Sequence, residues 1–369
     1  MQPTEALREA DRVMAICNAC RYCEGVCAVF PAMEMRRAFT TGDLDYLANL
    51  CHQCGACLHD CQYAPPHEFA VDVPAAFAAL RQESYARHAW PQALSGIFER
   101  NGLALTVLTA VSVAAFIIAV AAFKDPAVLF GRHAGAFYAI IPHNAMVALF
   151  GAVSLYVVLA LTLGLRSFWR GAQGSVPVGA DARALAEATG DAGRLRYLDG
   201  GGGGCMDEDD RPSDRRRLYH HLTFYGFLLC FASTSVATVF HYALGWPAPY
   251  PWYSAPVVLG TLGGIGLLIG PAGLLRLKWR RDRRTATPAG LGMDVAFLVM
   301  LFLTSLTGLL LLVLRDTAAM GVLLAVHLGV VLALFLAMPY GKFVHGLYRG
   351  AALVKYARER RTGRAFGSE

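Results

Sequence analysis

The sequence predicts a mainly α protein, a six-transmembrane-helix bundle behind a short, cysteine-rich, α-helical N-terminal domain. Two observations predict it. Hydrophobic residues make up 56% of the 369 positions and charged ones 16%, and the two kinds are segregated. From Leu218 to Leu275 no Asp, Glu, Lys or Arg occurs, far beyond the roughly 20 apolar residues that span a bilayer, so this run holds two spans and a turn. Ahead of the apolar body, "CNACRYCEGVC" (17–27) is followed by "CHQCGACLHDC" (51–61) with the same cysteine spacing.

Taken in order, the apolar windows predict helices at approximately 103–123, 137–163, 218–244, 254–276, 293–314 and 318–346. Residues 1–100 then form the cysteine-rich domain with a bridging helix, and 101–369 the membrane domain with a large loop at 166–217. The N-terminal segment lacks the basic, apolar and small-residue succession of a secretory signal, so it is expected to stay where it is made. Nine arginines in 166–217, six basic residues in 276–292 and seven from Lys342 onward face only Lys124, Arg132 and Arg315 on the other side. The positive-inside rule therefore predicts cytoplasmic N- and C-termini. A formal charge of +6 needs no nucleic-acid partner, because juxtamembrane arginines account for it.

The eight cysteines, Cys17, Cys20, Cys23, Cys27 and Cys51, Cys54, Cys57, Cys61, form C-x2-C-x2-C-x3-C twice, and Pro31 and Pro65 keep the same offset. Zinc sites take separated cysteine pairs, whereas three thiolates at two-residue gaps can hold one cubane and release the fourth to a neighbour. Two [4Fe-4S] clusters are the reading, in a ferredoxin-like, α-helical arrangement. The ferredoxin crossing assigns Cys17, Cys20, Cys23 and Cys61 to one cluster and Cys51, Cys54, Cys57 and Cys27 to the other. A disulfide framework fits a reducing compartment poorly. Ala28 and Gln62 stand where bacterial ferredoxins place proline, a pattern shared with fused succinate-dehydrogenase-like and heterodisulfide-reductase-like modules.

Histidines in hydrocarbon are functional candidates, because an imidazole there is costly unless used. His143 falls on the second predicted helix, His220, His221 and His241 on the third, His327 and His345 on the sixth. On one continuous helix the eighteen residues between His327 and His345 make five turns, about 27 Å along one face. His220 or His221 would meet His345 near the cytoplasmic side, and His241 or His143 would meet His327 toward the outside. Paired imidazoles of this kind bind one or two low-spin haems b.

Weaker signals remain. "LDGGGGGCMDEDD" (198–210) lacks the strand-to-helix context of a dinucleotide fingerprint, so Gly200 to Gly204 read chiefly as a flexible linker, and Cys205 as a plain loop thiol ahead of the alternative that it lines a cofactor or partner surface. Cys230 reads as a small apolar residue inside its helix. Residues 71–102 have helical periodicity after Pro74 and then an amphipathic stretch, which suits a stiff bridge on the membrane surface.

The doubled cysteine run, "PHEFAVDVPAAFAALRQESYARHAWP", "LRYLDGGGGGC", and "RRLYHHLTFYGFLLCFASTSVATVFHY" with "GTLGGIGLLIGPAGLL" resemble the tricarballylate-utilization protein B (TcuB/CitB) family over nearly the whole chain. The C-terminal half of CobZ is similar, and the histidine layout resembles the cytochrome b subunit of nitrate reductase by pattern alone. The family resemblance implies a bacterial inner-membrane electron-transfer subunit partnered by an FAD-dependent dehydrogenase, TcuA, that oxidises tricarballylate to cis-aconitate. Electrons would leave the partner's FADH2, pass through two clusters and haem b, and end on membrane quinone. This chain carries no flavin fingerprint, so substrate oxidation belongs to the partner. Two rivals are a redox or iron–sulfur sensor or assembly protein, silent toward quinone, and a tricarboxylate transporter, in which the cysteines would be idle.

Overall fold

Local chemistry starts the helices of the N-terminal region. In a computed structural model describing residues 3–133, 135–174, 181–208, 211–280 and 288–362, Thr4 accepts the Leu7 N–H to open α1 (Glu5–Cys20). After the short α2 (Val29–Glu34), Thr40 and Asp43 form a capping box for α3 (Thr41–Leu50), satisfying two N–H groups the helix cannot. The single-turn α4 (Ala56–His59) precedes α5 (Val73–His88), which has Asp72 as its cap and Pro74 in its first turn.

Six helices among the described residues are long and apolar enough to cross a membrane. The first is α6 (Asn101–Phe123); a short α7 (Phe137–Ile140) leads into the second, α8 (His143–Gly171). A loop helix, α9 (Ala182–Gly193), and a small antiparallel pair, β1 (Cys205–Glu208) with β2 (Arg211–Ser213), precede α10 (Arg215–Tyr242). The remaining spans are α11 (Ala255–Arg280), α12 (Pro288–Val313) and α13 (Met320–Ala337), and α14 (Val344–Thr362) closes the chain.

Glycines set the close crossing of α10 and α11. A Cβ at Gly263 would come 2.8 Å from the Cys230 backbone nitrogen and Sγ, and one at Gly266 would come 2.9 Å from Leu222 O. The stripe Gly263, Gly266, Gly270 therefore lets α10 and α11 touch backbone to backbone, the small-residue packing that replaces hydrophobic driving force in lipid. Cys230 is part of this crossing.

Two expectations are corrected. The sixth span is not one helix to residue 346: α13 ends at Ala337, a tight turn occupies Met338–Tyr340, and α14 starts at Val344. Pro339 lacks an N–H to continue the ladder, and Gly341 adopts an extended conformation that leaves it. His327 and His345 thus sit on different helices, and the eighteen-residue phase does not relate them. Nor is α5 a free-standing bridge. It lies in the core of the N-terminal domain, with Phe77, Leu80 and Tyr85 fully buried against α1 and α3.

The same core takes in α14, through Tyr348, Ala352 and Tyr356. At its far end Glu359 accepts from Arg36 Nη2 at 2.5 Å and Tyr46 OH at 2.9 Å, while Arg36 Nε donates to Asp43 at 2.6 Å. Lys355 completes the group, 3.6 Å from Glu359 and donating to the carbonyls of Ala172 and Gln173. This buried network fastens the last helix to the cysteine-rich domain, so both ends of the bundle's chain lie together.

Candidate metal centres

Helix α1 stops because Arg21 turns left-handed at φ 55°, its N–H closing on Cys17 O. That reversal carries Cys23 back toward Cys17 and Cys20. Cys61, arriving from beyond α4, joins them around one cavity whose walls include Ile16, Phe30, Tyr63 and Val71. Three cysteines of the first run and the last of the second therefore share a site. Burial, and then the neighbouring thiols, push Cys17 up to about 12 and Cys23 up to about 11. Iron binding there must displace protons.

The second set assembles the other way round. Cys51 caps α3, left-handed Gln53 (φ 53°) and Gly55 (φ 84°) bend the loop, and Cys57 sits in α4. Cys27 comes from the first run; Cys51 and Cys54 both act on it, and Cys57 is within reach of all three. Burial raises Cys27 and Cys57 well above an ordinary thiol, although the N–H groups of Val29 and Phe30, at the start of α2, partly oppose this at Cys27. Among the described residues no three His, Cys, Asp or Glu side chains close on a point at single-ion distance.

The glycine run covers this second set, which corrects its reading as a flexible linker. Gly200 (φ 59°) would place a Cβ 3.1 Å from Ala56, and Gly201 (φ 78°) one 3.2 Å from Gly25 O and Val26 Cα. Only glycine takes these conformations at such approaches without strain. Met206 N–H then donates to Cys54 O at 2.8 Å, and Cys205 is fully buried in a cluster with Cys54, Ala56, Leu195 and Leu198. Cys205 is thus an inner wall of the site, not a plain loop thiol. The signal was available in the sequence: five consecutive glycines next to a cysteine are also what a close-fitting backbone cover requires.

Among the histidines, the structure brings His220 of α10 and His345 of α14 together, their ring centroids 6.3 Å apart. A metal bound by two imidazoles at about 2 Å each separates their centroids by about 6 Å, so this pair fits axial ligation of one iron. His345 Nδ1 is directed at Lys342 O, which fixes the ring and leaves Nε2 for a metal. His220 Nδ1 is buried without a hydrogen-bond partner. His221 instead packs beside Tyr225.

The outer histidines are arranged differently. His143 and His241 stack face to face at 4.3 Å, and His143 Nε2 meets Tyr242 OH at 3.0 Å. That spacing is too short for an iron between them. His327 Nδ1 pairs with Thr307 Oγ1 of α12 at 2.9 Å, and no ring contact joins it to another histidine among the described residues. The residues present do not fit an outer haem in this arrangement.

A short segment ties the second cysteine set to the inner histidine pair. Arg216 of α10 donates to His52 O at 3.0 Å and Gln53 O at 2.5 Å. From α14, Arg349 donates to Asn49 O at 3.2 Å and Cys51 O at 2.8 Å. Arg81 of α5 adds bonds to Ala48 O and Cys51 O. His52, between them, is held well below the usual imidazole range by burial and then by the charges of Arg349, His220 and Arg216. The sequence signal for this clamp is an arginine four residues from each histidine, R-x3-H at 216–220 and H-x3-R at 345–349.

Comparison with known proteins follows these two regions. Residues 10–87 match the family model described as the citrate utilization protein B Fer4-like domain, and residues 98–366 match that of citrate utilization protein B. Over 365 residues the chain is 52% identical to citrate utilization protein B of Escherichia coli, covering 99% of this chain and 95% of that protein. No solved structure matches.

Proposed function

The chain belongs to the citrate utilization protein B family, and on that footing we propose that it is the membrane electron-transfer subunit that reoxidises the reduced flavin of a partner dehydrogenase and delivers the electrons to membrane quinone. A Fer4-like N-terminal domain on a membrane protein points to iron–sulfur electron transfer. The observation that carries the finer reading is the clamp: Arg216 and Arg349 hold the Cys51–Gln53 backbone directly beside His220 and His345.

Cys17, Cys20, Cys23 and Cys61 would hold one [4Fe-4S] cluster, Cys27, Cys51, Cys54 and Cys57 the second, and His220 with His345 one haem b. When bound, these groups supply one-electron carriers between a two-electron flavin and quinone. The chain itself buries the thiols, fixes the His345 ring through Lys342 O, and keeps the second cysteine set and the histidine pair adjacent. By its basic loops the cysteine domain faces the cytoplasm of a bacterial inner membrane, where an FAD-dependent dehydrogenase would dock. The partner's substrate would be a small tricarboxylate, citrate or tricarballylate in class.

The test uses membranes with and without the chain, a chemically reduced flavoprotein partner and quinone. Flavin reoxidation that requires both chain and quinone supports the reading. Equal rates in membranes lacking the chain, or no dependence on quinone, would favour the sensor.

A further inference from the structure

The two cysteine sets differ in how closely another protein can approach them. Cys17, Cys20, Cys23 and Cys61 are all partly exposed, whereas Cys51, Cys54 and Cys57 are buried. Gly200 and Gly201 lie over the second set, and the arginines of α10 and α14 grip its Asn49–Gln53 backbone. The cavity of the first set is walled by residues between Ile16 and Val71.

Two aromatic side chains stand open beside that cavity. Tyr22, 72% exposed, is on its wall, and Phe69, 42% exposed, packs 5.5 Å from Tyr63, which is also a wall residue. The Phe69 backbone is pinned on both sides: its N–H donates to His67 Nδ1 at 3.1 Å, and its carbonyl accepts from Arg12 Nη1 at 2.8 Å. An aromatic ring already fixed in place loses little freedom when a partner covers it, and exposed apolar groups rimmed by polar ones mark contact surfaces.

Charge selects the occupant. Residues 1–100 hold twelve Asp and Glu against eight Arg and no Lys, in a chain whose net charge is +6. Beside the cavity's residues in the chain, Glu24, Asp60 and Glu68 are exposed, and Asp60 acts on Cys23. Arg21 is exposed there too, His59 lies 3.8 Å from Asp60, and Arg12 is paired with Glu9 at 2.7 Å. Four thiolates around a cluster would add to the negative charge. A face of this sign is disfavoured against the anionic cytoplasmic leaflet and against its own image on a second copy, and it attracts a basic surface.

Resting on the electron-transfer reading above, we propose that the face formed by Tyr22 and Phe69 around the first cysteine set docks the flavoprotein through a basic surface beside its flavin, so that electrons enter by the first set and leave by the second. Each FADH2 gives up two electrons one at a time across this face and releases two protons, and one quinone takes up both electrons with two protons.

The test titrates the chemically reduced flavoprotein against the full chain in lipid nanodiscs with a soluble quinone, and reads the flavoprotein concentration at half-maximal rate. Dithionite, a small donor that needs no docking face, drives quinone reduction in a parallel arm. Phe69→Ala should raise the half-maximal concentration roughly tenfold or more, as loss of an interface anchor does. Glu24→Lys with Glu68→Lys should raise it similarly and abolish its increase with salt. In both, iron content and the dithionite-driven rate should stay at the unmodified level. An unchanged half-maximal concentration in both variants, or one that does not rise with salt in the unmodified chain, overturns the proposal. So does a chain that dimerises, or adheres to anionic vesicles, through Phe69 while its response to the flavoprotein is unaltered. Flavin reoxidation that does not need the chain at all overturns the electron-transfer reading itself, an outcome distinct from reoxidation that needs the chain and ignores this face.

Discussion

Replacing Glu359 by alanine removes one anion from a buried group of two cations, Arg36 and Lys355, and two carboxylates, Asp43 and Glu359. Arg36 loses its 2.5 Å bond and Tyr46 OH its 2.9 Å acceptor. Asp43 remains with Arg36, so the uncompensated charge falls on Lys355, which keeps the Ala172 and Gln173 carbonyls and the face of the Tyr46 ring but no carboxylate partner at contact distance. Breaking such a buried pair costs about 3–5 kcal/mol, because one ion is left without its partner. For the full chain of 369 residues that corresponds to a fall in Tm of roughly 4–6 °C. The assay is thermal unfolding of the full chain in detergent, prepared anaerobically and followed by near-ultraviolet circular dichroism. Replacing both partners, Lys355→Met with Glu359→Leu, leaves no unpaired ion and should cost less than Glu359→Ala alone. A double variant as unstable as the sum of the single changes would refute the reasoning. It would show that the group acts by packing and not by charge balance.

The other predictions concern the centres and their supports. Cys61→Ser should damage the cluster built on Cys17, Cys20 and Cys23, and Cys27→Ser the one built on Cys51, Cys54 and Cys57, as read by iron content and electron paramagnetic resonance; loss confined to each residue's own run contradicts the crossing. Gly263→Leu forces α10 and α11 apart, since even a Cβ would lie 2.8 Å from Cys230, and should lower haem content by displacing His220. Haem retained at the unmodified level would show that this crossing does not position the ligand. Burial holds Lys355 near 8 against an ordinary 10.5, so the unfolded chain binds more protons between those values. Stability of the unmodified chain relative to Lys355→Met should therefore rise with pH across that window; a flat or falling difference in pH-dependent unfolding contradicts it.

Much of this was legible in the sequence, for physical reasons that differ from element to element. Six spans can be read because hydrocarbon tolerates so few charges, and three cysteines of each set because local spacing turns them toward one another, the fourth coming from the other run. The break between α13 and α14 was also written there, in Pro339 and Gly341, but the length of the apolar run hid it. A phase argument such as the one linking His327 to His345 holds only within an unbroken helix. The stacking of His143 on His241, the burial of α5 and the fit of Gly201 over Gly25 and Val26 depend on contacts between segments far apart in the chain. No single-segment periodicity carries such contacts. Arg216 and Arg349 illustrate the intermediate case: their four-residue spacing from histidine is visible, and its meaning appears only once the two helices meet.

The central claim is that electrons cross this chain from cysteine-held clusters to quinone by way of a haem on His220 and His345. It is tested most directly by optical redox cycling of the full chain in lipid nanodiscs, prepared anaerobically, reduced chemically and then given a soluble quinone. The account predicts that reduction bleaches the cluster absorbance and raises a b-type haem band, and that quinone reverses both. In His345→Ala the haem band should be missing and the clusters should stay reduced after quinone is added. Full reoxidation of the clusters by quinone in His345→Ala, or a reduced chain that quinone leaves untouched, would contradict the account.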